Sequence, residues 1–141
     1  KVTVADGRLI GNTTPEKYDR ILLDAPCTGL GALRRRPESR WRKQQTDVAE
    51  LTKLQEELLA SAWAALKPGG VLAYVTCSPH LAETNAIADW AQKKLGAKLI
   101  DTNEVLHKIN PDLHLNSNRK TAQLWPHIHS TDAMFIALMQ K

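Results

Sequence analysis

The chain holds two cysteines, and each stands in a short stretch whose residue types could carry covalent chemistry. Asp24-Ala25-Pro26-Cys27-Thr28-Gly29 sets a carboxylate just ahead of one thiol, and Thr76-Cys77-Ser78 holds the other between two hydroxyls. A thiolate attacks electrophilic carbon and forms an intermediate that splits one difficult step into two easier ones. A nearby carboxyl group can hold or supply a proton during that attack. Taken singly, a cysteine at a strand end is more often an inert, buried small hydrophobe. Asp6, followed by Gly7, reads on its own as a turn residue.

A second constellation is electrostatic. Nineteen Lys and Arg against fifteen Asp and Glu give a net charge of only +4, but six of the basic residues fall between Arg34 and Lys43. They are Arg34, Arg35, Arg36, Arg40, Arg42 and Lys43. A focused patch of this kind neutralises phosphate and speeds encounter with nucleic acid. A solvated charged loop is the commoner meaning of a basic run. Trp41, inside the run, could stack an unpaired base or anchor a core. His107, His114, His127 and His129 match no compact ligand spacing and have no cysteine among them, so no metal site is expected.

The elements that must position these residues alternate. Tyr18 to Asp24 ends in an apolar run that predicts a buried strand, and the breaker-rich Ala25 to Gly31 forms a loop at its carboxyl end. From about Asp47 to Leu66, Val48, Leu51, Leu54, Leu58, Ala62 and Leu66 recur at helical spacing, with Thr46 suited to cap the first turn. Lys67-Pro68-Gly69-Gly70 stops that helix, and Val71 to Thr76 predicts a second buried strand. Ser78-Pro79 would open a helix running to Leu95, burying Leu81, Ile87, Trp90 and Leu95, with Gly96 as its left-handed stop. Lys98 to Ile100 forms a short strand, residues 101–130 an irregular connection, and Met134 to Met139 a closing strand. The order predicts an α/β fold in which both cysteines lie beyond the carboxyl ends of neighbouring strands, where ligands bind in open sheets. No Gly-x-Gly-x-x-Gly and no internal repeat occurs.

Length and composition set outer bounds. The 141 residues suffice for one domain. No apolar run approaches the ~20 residues that span a bilayer, and no basic-then-apolar leader opens the chain. Two cysteines cannot build a disulfide framework, which favours a reduced cytosol and a cytoplasmic protein. Val2-Thr3-Val4 reads as a strand beginning at once after Lys1, so a piece of a longer protein is expected.

With the Asp-Ala-Pro-Cys-Thr-Gly and Thr-Cys-Ser motifs at this spacing, the chain resembles the RNA cytosine-5 methyltransferases of the Nol–Nop–Sun family. It is most similar to the bacterial Fmu/Sun (RsmB) branch, whose members modify a cytosine of 16S ribosomal RNA. Ala5-Asp6-Gly7-Arg8, Tyr18 to Cys27, Arg34-Arg35-Arg36-Pro37 with Arg40-Trp41, Leu66 to Gly70, and Thr131-Asp132-Ala133-Met134-Phe135 carry the likeness across almost the whole chain. The resemblance implies the C-terminal half of a Rossmann-like class I methyltransferase sheet, with residues 1–141 a partial catalytic domain. It implies S-adenosyl-L-methionine as cofactor, with the glycine-rich cofactor loop preceding Lys1, so the 141 residues alone should be inactive. It also implies Cys77 as nucleophile, Cys27 as assistant in product release, and Asp24 in contact with the base or the cofactor. Asp6 corresponds to the residue at the adenine side of the cofactor, and Arg34, Arg35, Arg40 and Trp41 to the RNA side. DNA cytosine-5 methyltransferases use the cysteine of the Pro-Cys motif, so the residues themselves leave the division of roles between Cys27 and Cys77 open. Transfer RNA as substrate, or a non-catalytic RNA-binding remnant, are the rival readings. A half-sheet would also carry an exposed edge through which copies could associate.

The chemistry matches that residue set. Carbon 5 of cytosine is a poor nucleophile; a thiolate adding to carbon 6 makes an enamine whose carbon 5 can attack a methyl group. An acid near ring nitrogen 3 then meets the developing charge, and a base finally removes the proton at carbon 5. Two departures from the family pattern stand out. Pro79 comes early, with Glu83-Thr84-Asn85 following later, and Ala133 replaces an expected Gly.

Overall fold

The computed structural model describes residues 1–42, 44–115 and 118–141; Lys43 of the basic run lies outside them. Strand β1 (Tyr18–Asp24) pairs in parallel with β2 (Leu66–Thr76), Ile21 opposite Leu72 and Asp24 opposite Val75. The closing strand β5 (Phe135–Gln140) lies antiparallel to β2 on its far side and to β3 (Lys98–Ile100) beyond, giving the order β1-β2-β5-β3. A two-residue strand, β4 (Ala122–Gln123), pairs with the start of β5.

Alternation along β2 and β5 sets the core. Leu72 and Tyr74 of β2 and Phe135, Ala137 and Met139 of β5 point to one face and are fully buried. Two helices cover that face: α3 (Gln45–Ala65) and α4 (Asn85–Leu95), through Leu59, Ala62 and Trp63 of the first and Ile87, Ala88 and Ala91 of the second. The opposite face is less covered. Ile21 and Leu23 of β1 pack on the core, but Leu22 between them is 72% exposed, so β1 is a half-buried strand and not the fully buried one its apolar run predicts.

The other departures from the sequence reading have local causes. Residues 1–6 form no strand, and Val2 and Val4 are fully exposed, because no neighbouring strand offers them a ladder. Helix α3 starts at Gln45, where the Gln44 N–H donates to the Asp47 carboxylate at 3.0 Å, so Thr46 lies inside the first turn. Its fully buried stripe runs through Gln55 and Leu59, one residue on from the expected Leu54 and Leu58. A short helix α1 (Ile10–Thr13) and the 3-10 turn Gly7–Leu9 before it pack beside α3 on that flank. Leu66 already belongs to β2.

Ser78-Pro79 does not open a helix. A 3-10 turn at Leu81–Glu83 precedes α4, Leu81 is 69% exposed, and the fully buried residue there is Glu83. Gly96 does end α4, in the left-handed conformation at φ 69° that favours glycine. The stretch expected to be irregular carries α5 (Thr102–Ile109), whose first turn is capped by the Asp101 carboxylate, and a short helix α6 (Pro126–His129).

Candidate active site

The parallel pairing of β1 with β2 brings their carboxyl ends side by side, and β5 runs antiparallel, so its first residue, Phe135, lies opposite Thr76 at that same end. Three loops meet there and are stitched through one glycine. Gly31 N–H donates to the Cys77 carbonyl at 2.9 Å, and Ala133 N–H donates to the Gly31 carbonyl at 2.9 Å. A Cβ at Gly31 would stand 2.2 Å from the Ala133 oxygen and 2.8 Å from the Cys77 oxygen, so only glycine lets the loops approach this closely. Ala133, where a Gly was expected, has no left-handed backbone, so its methyl group carries no strain.

The loops surround a cavity of about 670 Å³ whose lining includes Asp24, Cys27, Cys77, Arg35, Arg36 and Arg42. The Cys27 and Cys77 sulfurs are 3.4 Å apart and both partly buried, so the fifty-residue separation in sequence closes to van der Waals contact. Burial, reinforced by the neighbouring Cys77 sulfur, pushes the Cys27 thiol up to about 12. Arg35 donates through Nε to both oxygens of the nearly buried Asp132, at 2.9 and 3.1 Å, and through a second nitrogen to the same carboxylate. This pairing holds the Asp132 carboxyl below its ordinary range and keeps Arg35 within electrostatic reach of Cys77. Asp24 is exposed at the cavity wall and has no ion-pair partner among the described residues.

The predicted residues divide. Asp24, Cys27, Cys77 and Arg35 are brought together in the cavity lining. Arg34 sits beside it, reaching the Ser130 carbonyl at 3.4 Å. Trp41 is 84% exposed, not a core anchor, and the Arg40 guanidinium lies 5.6 Å from its ring centre. Both belong to the short helix α2 (Ser39–Arg42). Asp6 does not line the cavity. Its carboxylate is engaged by the Arg8 backbone N–H and guanidinium, and those hydrogen bonds hold it down at about 2. Arg36 and Arg42, part of the basic run but not singled out within it, line the cavity and have no ion-pair partner among the described residues. The histidines scatter. His129 Nδ1 accepts from Trp125 N–H and its Nε2 faces the His114 carbonyl, while His107 and His114 border a separate hollow. Among the described residues no three His, Cys, Asp or Glu side chains are placed to hold a metal ion, and no helix is long and apolar enough to cross a membrane.

Residues 1–140 match the family described as 16S rRNA methyltransferase RsmB/F. Methyltransferase Rv1407 of Mycobacterium tuberculosis, named without a substrate, is 54% identical over 88% of this chain and 26% of its own length. Ribosomal RNA small subunit methyltransferase B of Serratia proteamaculans is 35% identical over all of this chain and 30% of its own. Among solved structures, NSun6 from Pyrococcus horikoshii, determined with SFG, superposes with a TM-score of 0.81 at 29% identity, covering all of this chain and 34% of that one. The chain thus spans about a quarter to a third of these proteins, and its α/β sheet is that of the Rossmann-like methyltransferases. It belongs to the RsmB/F family of 16S rRNA methyltransferases.

Proposed function

We propose that the chain is the C-terminal part of the catalytic domain of a cytoplasmic RNA (cytosine-5)-methyltransferase acting on 16S rRNA with S-adenosylmethionine. The observation that carries this reading is the Cys27–Cys77 contact of 3.4 Å in the wall of an arginine-lined cavity, beside the exposed Asp24. The relatives' names support the ribosomal substrate. SFG, an analogue of S-adenosylmethionine, in the NSun6 structure supports the cofactor. The residues present fit that cofactor in part: the exposed Asp24 side chain at the end of β1 gives the cavity wall a polar group that the cofactor's amine or hydroxyl groups could reach. The glycine-rich half of the pocket is assigned to the rest of the catalytic domain. S-adenosylmethionine supplies the electrophilic methyl group.

Within this reading Cys77, its thiol proton taken by a base, adds through sulfur to carbon 6 of cytosine. The electrons of the 5,6 double bond move towards nitrogen 3, which takes a proton from the Asp24 carboxyl group and returns it as carbon 5 attacks the methyl group. Carbon 5 thereby becomes nucleophilic. After methylation a base removes the proton at carbon 5, the double bond re-forms, and the sulfur–carbon bond breaks with its electron pair on Cys77. A Cys27 thiol that stays protonated donates its S–H to that departing sulfur, and Arg35 adds positive charge. Arg36, Arg42 and the exposed Trp41 serve the RNA, the arginines neutralising phosphate and the indole stacking a base.

The test is product analysis. The full-length protein, given 16S rRNA and methyl-labelled cofactor, should yield labelled 5-methylcytidine after nuclease digestion. Label confined to transfer RNA, or to another nucleoside, would contradict the proposal. The isolated 141 residues should give no turnover, and detectable turnover would contradict the domain assignment.

A further inference from the structure

One fully buried carboxyl group takes no part in that chemistry. Glu83 is fully buried, and among the described residues no lysine or arginine pairs with it. Neutral donors surround it instead. Thr28 N–H and Gln55 Nε2 donate to Oε1 at 2.8 and 3.3 Å, and the Thr28 and Ser78 hydroxyls both donate to Oε2 at 2.6 Å. Thr28 directly follows Cys27, and Ser78 directly follows Cys77. Their hydroxyl oxygens are 3.4 Å apart, the separation of the two sulfurs one residue earlier. Gln55 also donates to the Pro26 carbonyl at 2.9 Å, on the other side of Cys27. Glu83 is itself anchored, since Tyr74 Oη donates to its carbonyl at 2.9 Å from inside the core.

A buried carboxylate is costly unless its oxygens are well supplied with donors, and an apolar side chain would serve packing alone as well or better. Here three of the four donated bonds come from the two cysteine loops. We infer that Glu83 is the positioning residue of the thiol pair: its carboxylate joins the loop after Cys27 to the loop after Cys77 and thereby fixes the distance between the sulfurs. The inference rests on the reading of that pair as the reacting centre, and nothing in it requires Glu83 to touch substrate. Reactions of this kind tolerate misplacement poorly; a shift of about 1 Å costs on the order of 100-fold in rate.

The experiment compares Glu83→Gln with the unaltered full-length protein. Two readouts are taken on enzyme shown by its thermal transition to be folded: the rate of Cys27–Cys77 disulfide formation under diamide from neutral to alkaline pH, and kcat and KM for RNA. The pH series separates a change in thiol ionisation from a change in spacing. The expected result is slower disulfide formation at every pH, kcat lower by on the order of 100-fold, and KM for RNA unchanged. Disulfide formation at the unaltered rate, with or without loss of kcat, would overturn the inference. Should Glu83→Gln not fold, Ser78→Ala removes only the arm to the Cys77 loop and should shift both readouts in the same direction by less; no shift would overturn the inference. The disulfide readout needs no turnover. If the cysteines proved not to be the reacting groups, it would still report whether Glu83 sets their spacing.

Discussion

Cys27 and Cys77 share a contact but not an environment. A thiol held at about 12 by burial stays protonated at neutral pH, and a protonated thiol alkylates slowly. Alkylation with iodoacetamide at neutral pH, mapped by mass spectrometry, should therefore label Cys77 ahead of Cys27; the reverse order would contradict the division of roles. Asp132 gives a pH prediction. Its folded value lies below the ordinary 3.8, chiefly through the hydrogen bonds from Arg35. The stability it contributes is thus fully present above the ordinary value and is lost as pH falls through the folded one. An acid-unfolding series should show Asp132→Asn losing less stability than the unaltered protein below about pH 4, and parallel curves would refute it. Asp24, Cys27 and Cys77 were legible in the sequence because apolar runs ending in breakers mark strand ends. Glu83 was not, because an acidic residue between Ala82 and Thr84 lies in no apolar run and reads as solvated. Its burial is made by donors as far off in sequence as Thr28.

At the scale of elements, the site is three strand-end loops drawn together at Gly31. Adding a methyl group there sets a Cβ 2.2 Å from one backbone oxygen and 2.8 Å from another, and neither is free to swing aside. Gly31→Ala should cost about 1–3 kcal/mol of stability and slow methyl transfer as well, measured by denaturant unfolding and turnover. Unchanged values for both would refute the stitching. Helix α3 tests the phase of the core. Leu59 is fully buried and Leu54 only in part, so Leu59→Ala should cost about 2–5 kcal/mol and Leu54→Ala clearly less; equal losses would restore the stripe the spacing first suggested. The spacing located this helix, but its phase depended on what packs beside it: α1 and the turn before it line one flank, and Gln55 is drawn inward by Pro26 and Glu83. Helix α5 went unread because it is short and polar. Yet Asp101 followed by Glu104 was a capping signal present in the sequence, and the Asp101 carboxylate does accept the first-turn N–H groups.

The molecule as a whole is a sheet with one well-covered face and an open edge at β1. In the order β1-β2-β5-β3 no strand among the described residues pairs with the outer side of β1, where Leu22 stands 72% exposed. An open edge beside an exposed leucine favours strand pairing between copies, so the isolated 141 residues should self-associate in sedimentation as concentration rises; a single monomeric boundary throughout would contradict this. The alternation of strands and helices made the sheet legible. The antiparallel insertion of β5 between β2 and β3 was not, because sequence order carries no register. That insertion brings the loop holding Asp132 and Ala133 to the cysteines. The central claim, that Cys77 attacks the cytosine ring, is tested most directly with RNA carrying 5-azacytidine, which traps the covalent intermediate. The full-length protein, Cys77→Ala and Cys27→Ala would each be incubated with this RNA and cofactor, then examined for a denaturation-resistant adduct. An adduct formed by the unaltered protein and by Cys27→Ala, but absent from Cys77→Ala, is the predicted result. An adduct that persists in Cys77→Ala and disappears in Cys27→Ala would contradict it.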